Sequence, residues 1–245
     1  MNPPDANPSD AFAVVTMNGV RRGARAISPV LVGQLPYATV VGLTAQAHGF
    51  SMLEAALMSG LMFAGAAQLL VLGSWVYPPA IFGNTLASTM VNLRFVLMGP
   101  LLAPWMDHLR GWRRWGILFF LVDNAWAMSV QDIERGKRDA GFLLGAGLVL
   151  WFFWVAGTLA GFLVGDFVAP PPGHPVFFAA IAVFIAMLAP MWKGKRDILP
   201  WIAAAGTAAL VSHLMPGTAW HVVAGAIVGS ALGLLQSRIG PRNAG

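Results

Sequence analysis

The chain has 245 residues, of which 57% are hydrophobic and only 10% are charged. Soluble domains usually carry about 25% charged residues. This chain has too few charged residues to cover the surface of a soluble domain, so the composition predicts an integral membrane protein. The net charge is +5, but the basic residues form short clusters between apolar runs. That pattern is typical of topology signals and not of a nucleic-acid-binding face. Because there is no cysteine, disulfides and thiolate metal sites are also excluded.

Apolar runs of the length that a helix needs to cross a bilayer, about 20 residues, recur along the chain. They cover residues 27–47, 52–75, 80–105, 116–130, 140–165, 176–192, 198–215 and 218–235. We therefore predict an all-α fold, a polytopic transmembrane helical bundle of seven or eight spans. Residues 1–25 form a polar cytoplasmic N-terminal segment, 26–236 a single transmembrane transporter domain, and 237–245 a short tail. The N-terminal segment lacks the pattern of a cleavable signal peptide.

Several residues predict where these helices break or pack closely. Pro36 lies inside the first span, where an interior proline removes a backbone hydrogen bond and favours a kink. The third segment, 80–105, is either one tilted helix or two half-helices broken near Asn92. In the fifth span, Gly157 and Gly161 belong to a run with a small residue at every fourth position, which favours close helix packing.

Basic residues predict which loops face the cytoplasm, since short cytoplasmic loops carry an excess of Lys and Arg. Three arginines at 21–25 place the N-terminus inside, and eight crossings also place the basic loops at 135–138 and 193–196 inside. The basic loop at 110–114 then lies outside, against the rule. If the third segment crossed the membrane twice, the loop at 110–114 would lie inside, but the two later basic loops would then lie outside. A version with seven spans, in which one segment only dips into the membrane, is the main alternative.

Arg94 and Asp123 are the charged residues that lie deepest in apolar sequence. An arginine at the centre of a span costs about 2.5–3.5 kcal/mol on insertion scales, so it needs a partner, a water-filled cavity or a ligand. We interpret the two as gating or substrate-reading residues, with Arg94 suited to a carboxylate and Asp123 to an ammonium group or a proton. The alternative is a structural ion pair that only locks two helices.

Two amides extend this candidate site. Gln68 lies among small residues that include Gly65 and could expose helix backbone to a ligand, or it could make one interhelical hydrogen bond. Asn92 could present backbone groups to a substrate at a helix break, or it could cap a kink. Glu54 is interpreted as a solvated helix start.

Sequence motifs for catalysis are absent. The chain contains no GxxxxGK[ST], HExxH or GxSxG pattern. We expect no enzyme activity, no metal site and no cofactor. An ion gradient, with proton coupling left open, or the substrate's own gradient would then drive any transport.

Four short motifs resemble the AzlC family, the large subunits of two-component branched-chain amino acid exporters. They are Phe63-Ala64-Gly65-Ala66-Ala67-Gln68, Asn92-Leu93-Arg94, Asp123 after an apolar run, and Trp151 and Trp154 followed by Gly157-Thr158 and Gly161. The resemblance extends over about residues 26–235. It implies a secondary transporter that exports leucine, isoleucine and valine, with methionine as a further candidate, across the inner membrane. It also implies a small hydrophobic subunit of the AzlD type as partner, besides membrane lipids and the amino acid substrate.

One position departs from the family pattern, because Asn124 follows Asp123 where a glutamate is expected. The missing carboxylate bears on proton coupling or on substrate choice. We assign substrate binding or gating to Gln68, Asn92, Arg94, Asp123 and Asn124, and helix breaking or packing to Pro36, Gly65, Gly157 and Gly161. The alternative function is a channel-like or scaffold membrane protein, or an exporter of another small hydrophobic amino acid.

Overall fold

The computed structural model describes residues 15–106, 109, 111–168, 192, 194–215 and 220–239. All regular elements in these ranges are helices, which confirms the predicted all-α class. The α-helices are α1 (Met17–Ile27), α2 (Leu31–Ala47), α3 (Met52–Met62), α4 (Gly65–Gly73), α5 (Ile81–Met106), α6 (Trp112–Phe119), α7 (Asp123–Glu134), α8 (Gly141–Val168), α9 (Ile198–Leu214) and α10 (Trp220–Ile239). The predicted sixth span, 176–192, lies outside the described residues except for Trp192.

Two helical stretches are long and apolar enough to cross a membrane within the described part of the chain. They are Met17–Ala47, with 31 residues, and Gly141–Gly165, with 25 residues. Shorter apolar helices occupy Met52–Met62, Ile198–Leu214 and Ala224–Gln236. The two long stretches overlap the predicted first and fifth spans, and the shorter helices overlap the second, seventh and eighth apolar segments. The total number of spans stays a prediction.

The chain divides into two compact units, residues 1–68 with 92–172 and residues 69–91 with 173–245. In the first unit, α1 and α2 pack along α8 with very close backbone contact. A Cβ on Gly42 would overlap the carbonyl oxygen of Thr158, and a Cβ on Gly161 would overlap that of Thr39. A Cβ on Gly157 would lie 2.8 Å from the Cβ of Ala38. The packing role that the sequence predicts for Gly157 and Gly161 is therefore located at this contact, which we call the α2–α8 seam.

The seam also gives the direction of the two helices. Gly145 meets Val20, Gly161 meets Thr39 and Gly165 meets Gln46, so α8 runs parallel to the continuous stretch α1–α2. If both cross the membrane, the chain must cross an odd number of times between them. Single crossings by α3–α4, α5 and α6–α7 satisfy this parity, whereas a double crossing by the third segment does not.

The helix breaks differ from those considered in the sequence. The third segment is one helix, Ile81–Met106, and continues through Asn92. The second apolar run instead divides into α3 and α4, because Phe63 adopts a left-handed conformation with φ of 40°. The fourth run divides into α6 and α7 around Val122, which is extended.

The helix ends also show why some predicted positions behave differently. Pro36 lies inside α2, which continues through it, and the helical geometry changes instead at a 3-10 turn, Ser28–Val30, that contains Pro29. The N-terminal polar segment includes α1, whose buried residues are Gly19, Gly23 and Ile27. Glu54 forms a capping box with Ser51 at the start of α3, which confirms its interpretation as a helix start.

In the second unit, α9 and α10 form an antiparallel hairpin. A Cβ on Gly225 would lie 2.9 Å from the carbonyl oxygen of Ala204, and one on Gly229 would lie 3.3 Å from that of Pro200. Small residues therefore allow the two helices to approach closely.

The α2–α8 seam leads to a stability prediction. We expect Gly42→Ala to destabilise the protein by about 1–3 kcal/mol, the usual cost of adding a methyl group to a packed interior. Gly33→Ala is the matched control, because it lies in the same helix and a Cβ there meets no atom within 4 Å. Thermal unfolding in detergent should show a lower midpoint for Gly42→Ala only, and equal midpoints would contradict the close contact.

Candidate functional site

A closed ring of hydrogen bonds surrounds the break between α3 and α4. Gln68 Nε2 donates to Ser59 Oγ at 2.9 Å, and Ser59 Oγ donates to Thr158 Oγ1 at 3.0 Å. Thr158 Oγ1 donates to the carbonyl oxygen of Trp154 at 3.0 Å, while Trp154 Nε1 donates to Gln68 Oε1 at 2.9 Å. Ser59, Gln68 and Thr158 are fully buried. This Gln68 ring joins the two halves of the broken helix to α8.

Aromatic packing supports the same break. The Trp154 indole and the Tyr37 ring meet edge to face, with centroids 5.2 Å apart. A Cβ on Gly65 would overlap the Trp154 ring and lie 2.8 Å from Tyr37 Cε1. Gly65 therefore leaves room for two aromatic rings at the first residue of α4. Trp151 adds a further link, since its Nε1 donates to the carbonyl oxygen of Gly60 at 2.9 Å.

Arg94 and Asp123 form a direct ion pair between α5 and α7. Arg94 Nη2 lies 3.0 Å from Asp123 Oδ2, and the two side chains are 40% and 38% exposed. The guanidinium also lies over the ring of Phe95, 5.2 Å from its centroid. The pair is thus partly accessible and in contact with an aromatic face, as a site for a small amphipathic ion requires.

The helix break before α7 determines where Asp123 lies. Asp123 is the first residue of α7, and the preceding Val122 has no side-chain cap. The first backbone N–H groups of a helix have no partner within it, and the helix dipole favours an anionic side chain there. Trp126 holds this end of α7 to α5, because its Nε1 donates to the carbonyl oxygen of Met98 at 3.2 Å.

Two polar atoms near the ion pair are buried without a hydrogen-bond partner among the described residues. They are Asn92 Oδ1, an acceptor, and Arg94 Nε, a donor. Leaving such a group unpaired in a protein interior costs about 1–3 kcal/mol. The two residues are two positions apart in one helix, so their side chains leave α5 on different faces. The Nε donor therefore belongs to the ion pair itself, while Asn92 Oδ1 is an acceptor on another face of α5.

The structure therefore separates the predicted site residues into two groups. Arg94 and Asp123 are in direct contact, whereas the amide of Gln68 is engaged within the Gln68 ring. Asn124 lies exposed in the first turn of α7. Among the described residues, no group of three or more His, Asp or Glu side chains converges as metal ligands would.

A family model described as AzlC protein matches residues 29–168, which is more than half of the chain. The chain belongs to the AzlC family. The matched range contains both the Gln68 ring and the Arg94–Asp123 pair. AzlC-family proteins are membrane proteins related to transport, so the integral membrane class predicted from composition is supported.

Individual relatives agree with this assignment at low identity. The AzlC-family chain is 28% identical over 218 residues to an uncharacterized membrane protein of Archaeoglobus fulgidus, covering 86% of this chain and 93% of the relative. It is 26% identical over 225 residues to the inner membrane protein YgaZ of Escherichia coli, covering 89% of each. It is 24% identical over 175 residues to the branched-chain amino acid transport protein AzlC of Bacillus subtilis, covering 69% of this chain and 66% of the relative. No solved structure matches the chain significantly.

The sequence analysis did not predict several residues of the Gln68 ring and of the aromatic packing beside it. Thr158 and Trp154 entered only through the family resemblance, and Ser59 and Tyr37 had no signal of their own. Ser59 lies nine positions before Gln68, so its contact with Gln68 depends on the break at Phe63. The contact between Ser59 and Gln68 could have been predicted only if the helix break at Phe63 had been predicted first.

The Gln68 ring predicts a large effect of removing its central amide. Gln68→Ala would leave the buried Trp154 indole N–H without its acceptor, at a cost of about 1–3 kcal/mol. It would also remove the hydrogen bond that Ser59 Oγ accepts, although Ser59 would still donate to Thr158. We expect a clear fall in the thermal unfolding midpoint in detergent. Gln131→Ala, at an exposed position of α7, serves as control. Equal midpoints for the two variants would contradict a structural role of the ring.

Proposed function

We propose that this chain is a secondary transporter that exports branched-chain amino acids across the inner membrane, as the large subunit of a two-component system. Leucine, isoleucine and valine are the proposed substrates, with methionine as a further candidate. Membership of the AzlC family supports transport, and the relative named a branched-chain amino acid transport protein supports the substrate class. The partner subunit is a small hydrophobic protein of the AzlD type.

The Arg94–Asp123 ion pair carries this proposal. An α-amino acid is a zwitterion, with a carboxylate that matches a guanidinium and an ammonium group that matches a carboxylate. Such a ligand can replace the direct contact of 3.0 Å between Arg94 and Asp123 with two contacts of its own. Every charge then keeps an opposite partner, so the substrate enters the apolar region without an uncompensated charge.

Two unpartnered polar atoms on different faces of α5 extend the proposed site. Asn92 Oδ1 is an acceptor suited to an ammonium N–H, and Arg94 Nε is a donor suited to a carboxylate oxygen. The apolar ring of Phe95 beside the guanidinium offers a surface for a branched aliphatic side chain. Together these groups favour a small zwitterion with an apolar substituent over an inorganic ion.

Helix breaks are a recurrent feature of substrate sites in secondary transporters, because half-helix termini present unpaired backbone groups to the substrate. The break before Asp123 supplies such a terminus beside the ion pair. Asn124 contributes an exposed amide in place of the carboxylate expected there. If that carboxylate carries a proton in other family members, this chain requires another route for coupling.

Amino acid efflux tests the proposed function directly. Cells without their own branched-chain exporters are loaded with a valine-containing dipeptide, and they express this chain alone or with its AzlD-type partner. We expect faster valine efflux only when both subunits are present. An alanine-containing dipeptide is the control for side-chain selectivity. No change in valine efflux despite confirmed membrane insertion of both subunits would contradict branched-chain export.

Variants of the ion pair test the proposed site. We expect Arg94→Gln and Asp123→Asn each to lower valine efflux at least tenfold, because each leaves one substrate charge and one protein charge without a partner. Arg113→Gln, at an exposed position of α6, is the matched control. The exchanged pair Arg94→Asp with Asp123→Arg separates the two interpretations. If the exchanged variant reaches the normal membrane level but does not export valine, the pair reads the substrate. If the exchanged variant exports valine at the normal rate, the pair is only a structural lock.

A further inference from the structure

A second, more buried ion-pair cluster ties α1 to the end of α7. Arg22 Nη1 donates to both carboxylate oxygens of Asp132, at 3.0 and 3.1 Å. Arg22 Nη2 also lies 3.9 Å from Asp139 Oδ2, and the guanidinium lies over the ring of Phe142. The Asp132 side chain is only 9% exposed and that of Arg22 27% exposed. Such a buried carboxylate is costly unless its partner stays in place.

One side of this cluster is rigid. Asp139 accepts hydrogen bonds from the backbone N–H groups of Thr16 and Gly141, which fixes the start of α1 to the start of α8. A Cβ on Gly145 would overlap the carbonyl oxygen of Val20, so the two backbones are in direct contact. Arg22 therefore extends from a fixed part of the first unit.

The other side, α7, lies between two non-helical joints. Phe120, Leu121 and Val122 separate it from α6, and a turn in which Gly136 has φ of 80° separates it from α8. Asp123 and Asp132 are nine residues apart, which corresponds to about 13 Å along a helix. Each end of α7 is thus held by an ion pair, Asp123 with Arg94 on α5 and Asp132 with Arg22 on α1.

We propose that Arg22 is a positioning residue whose ion pair with Asp132 latches α7, and with it Asp123, in a closed position. Release of the latch lets α7 turn about its two joints and opens the end of the first unit that carries α1. The inference rests on the proposed transport function, because it describes how the helix that bears Asp123 is held and freed. Replacement of the Arg94 contact by substrate loosens one end of α7, and the latch governs the other.

Accessibility of a buried position on α7 tests the latch without any substrate. The chain has no cysteine, so Ser129→Cys introduces a single thiol at a fully buried site of α7. In membrane vesicles, we expect N-ethylmaleimide to label Cys at this position at least fivefold faster when Arg22→Gln is added. Arg21→Gln, an exposed arginine on the same helix, should leave the rate unchanged.

Two further variants distinguish a latch from general loss of stability. Ala45→Cys reports on a fully buried position of α2, and its labelling should stay slow in the Arg22→Gln background. Arg22→Lys keeps a cation facing both Asp132 and Asp139, so it should keep labelling at position 129 near the slow rate. If Arg22→Gln fails to insert into the membrane, Asp132→Asn replaces it with the same expected increase.

The proposal is overturned if neither Arg22→Gln nor Asp132→Asn raises the labelling rate at position 129, or if position 45 becomes accessible to the same extent. Because labelling requires no transported substrate, the result stands independently of valine efflux. Slow labelling that rises in Arg22→Gln would support the latch even if branched-chain export is wrong. Normal export with unchanged labelling would retain the proposed function and remove the latch.

Discussion

The ring of hydrogen bonds through Gln68, Ser59, Thr158 and Trp154 is the constraint on which the arrangement of the first unit depends. A helix that breaks inside an apolar region leaves polar groups that lipid cannot satisfy. In the ring, each side-chain donor has an acceptor at 2.9–3.0 Å, so the side chains at the break are mutually satisfied. Because two members belong to α8, the break is held against the helix that also forms the α2–α8 seam. A polar network of this kind fixes one arrangement when it is complete and is costly when one member is missing.

The second break, before α7, has a different consequence. It interrupts the fourth apolar segment so that an aspartate becomes the first residue of a helix, next to an arginine from α5. In a continuous helix the backbone N–H groups around Asp123 would donate to preceding carbonyl groups, whereas the first N–H groups of a helix have no partner within it. The combination of helix terminus, guanidinium and carboxylate gives this region both donor and acceptor capacity. One break is thus closed by protein side chains, and the other leaves a partly exposed ion pair at the start of a helix.

Composition and the positions of the apolar runs were sufficient for the helical class, for the two long apolar stretches and for the two charges that lie deepest in apolar sequence. Proximity of Arg94 and Asp123 followed from their places in neighbouring segments, since a charge in lipid needs a partner.

The breaks could not be predicted, because they depend on contacts remote in sequence. Gly65 lies beneath the Trp154 and Tyr37 rings, and the sequence around residue 65 does not predict a contact with either aromatic side chain. Asn92 was considered as a break because polar residues surround it, yet those residues are accommodated within an unbroken helix. Arg22 was interpreted only as a topology signal, since a cluster of arginines before an apolar run does not show which member has a buried carboxylate.

These features divide the first unit into parts with different freedom to move. The α2–α8 seam has backbone against backbone at several glycines, so a displacement there would have to separate surfaces that fit without intervening side chains. By contrast, α7 is joined to its neighbours in the chain by short non-helical stretches, and charged side chains hold both of its ends. A buried charge can change partners only if another charged or polar group replaces the one it loses, whereas close packing has no such substitute. A transporter needs one part that keeps its shape and another that responds to the substrate. In the transport function proposed above, the seam is suited to the first role, and the helix that carries Asp123 and Asp132 is suited to the second.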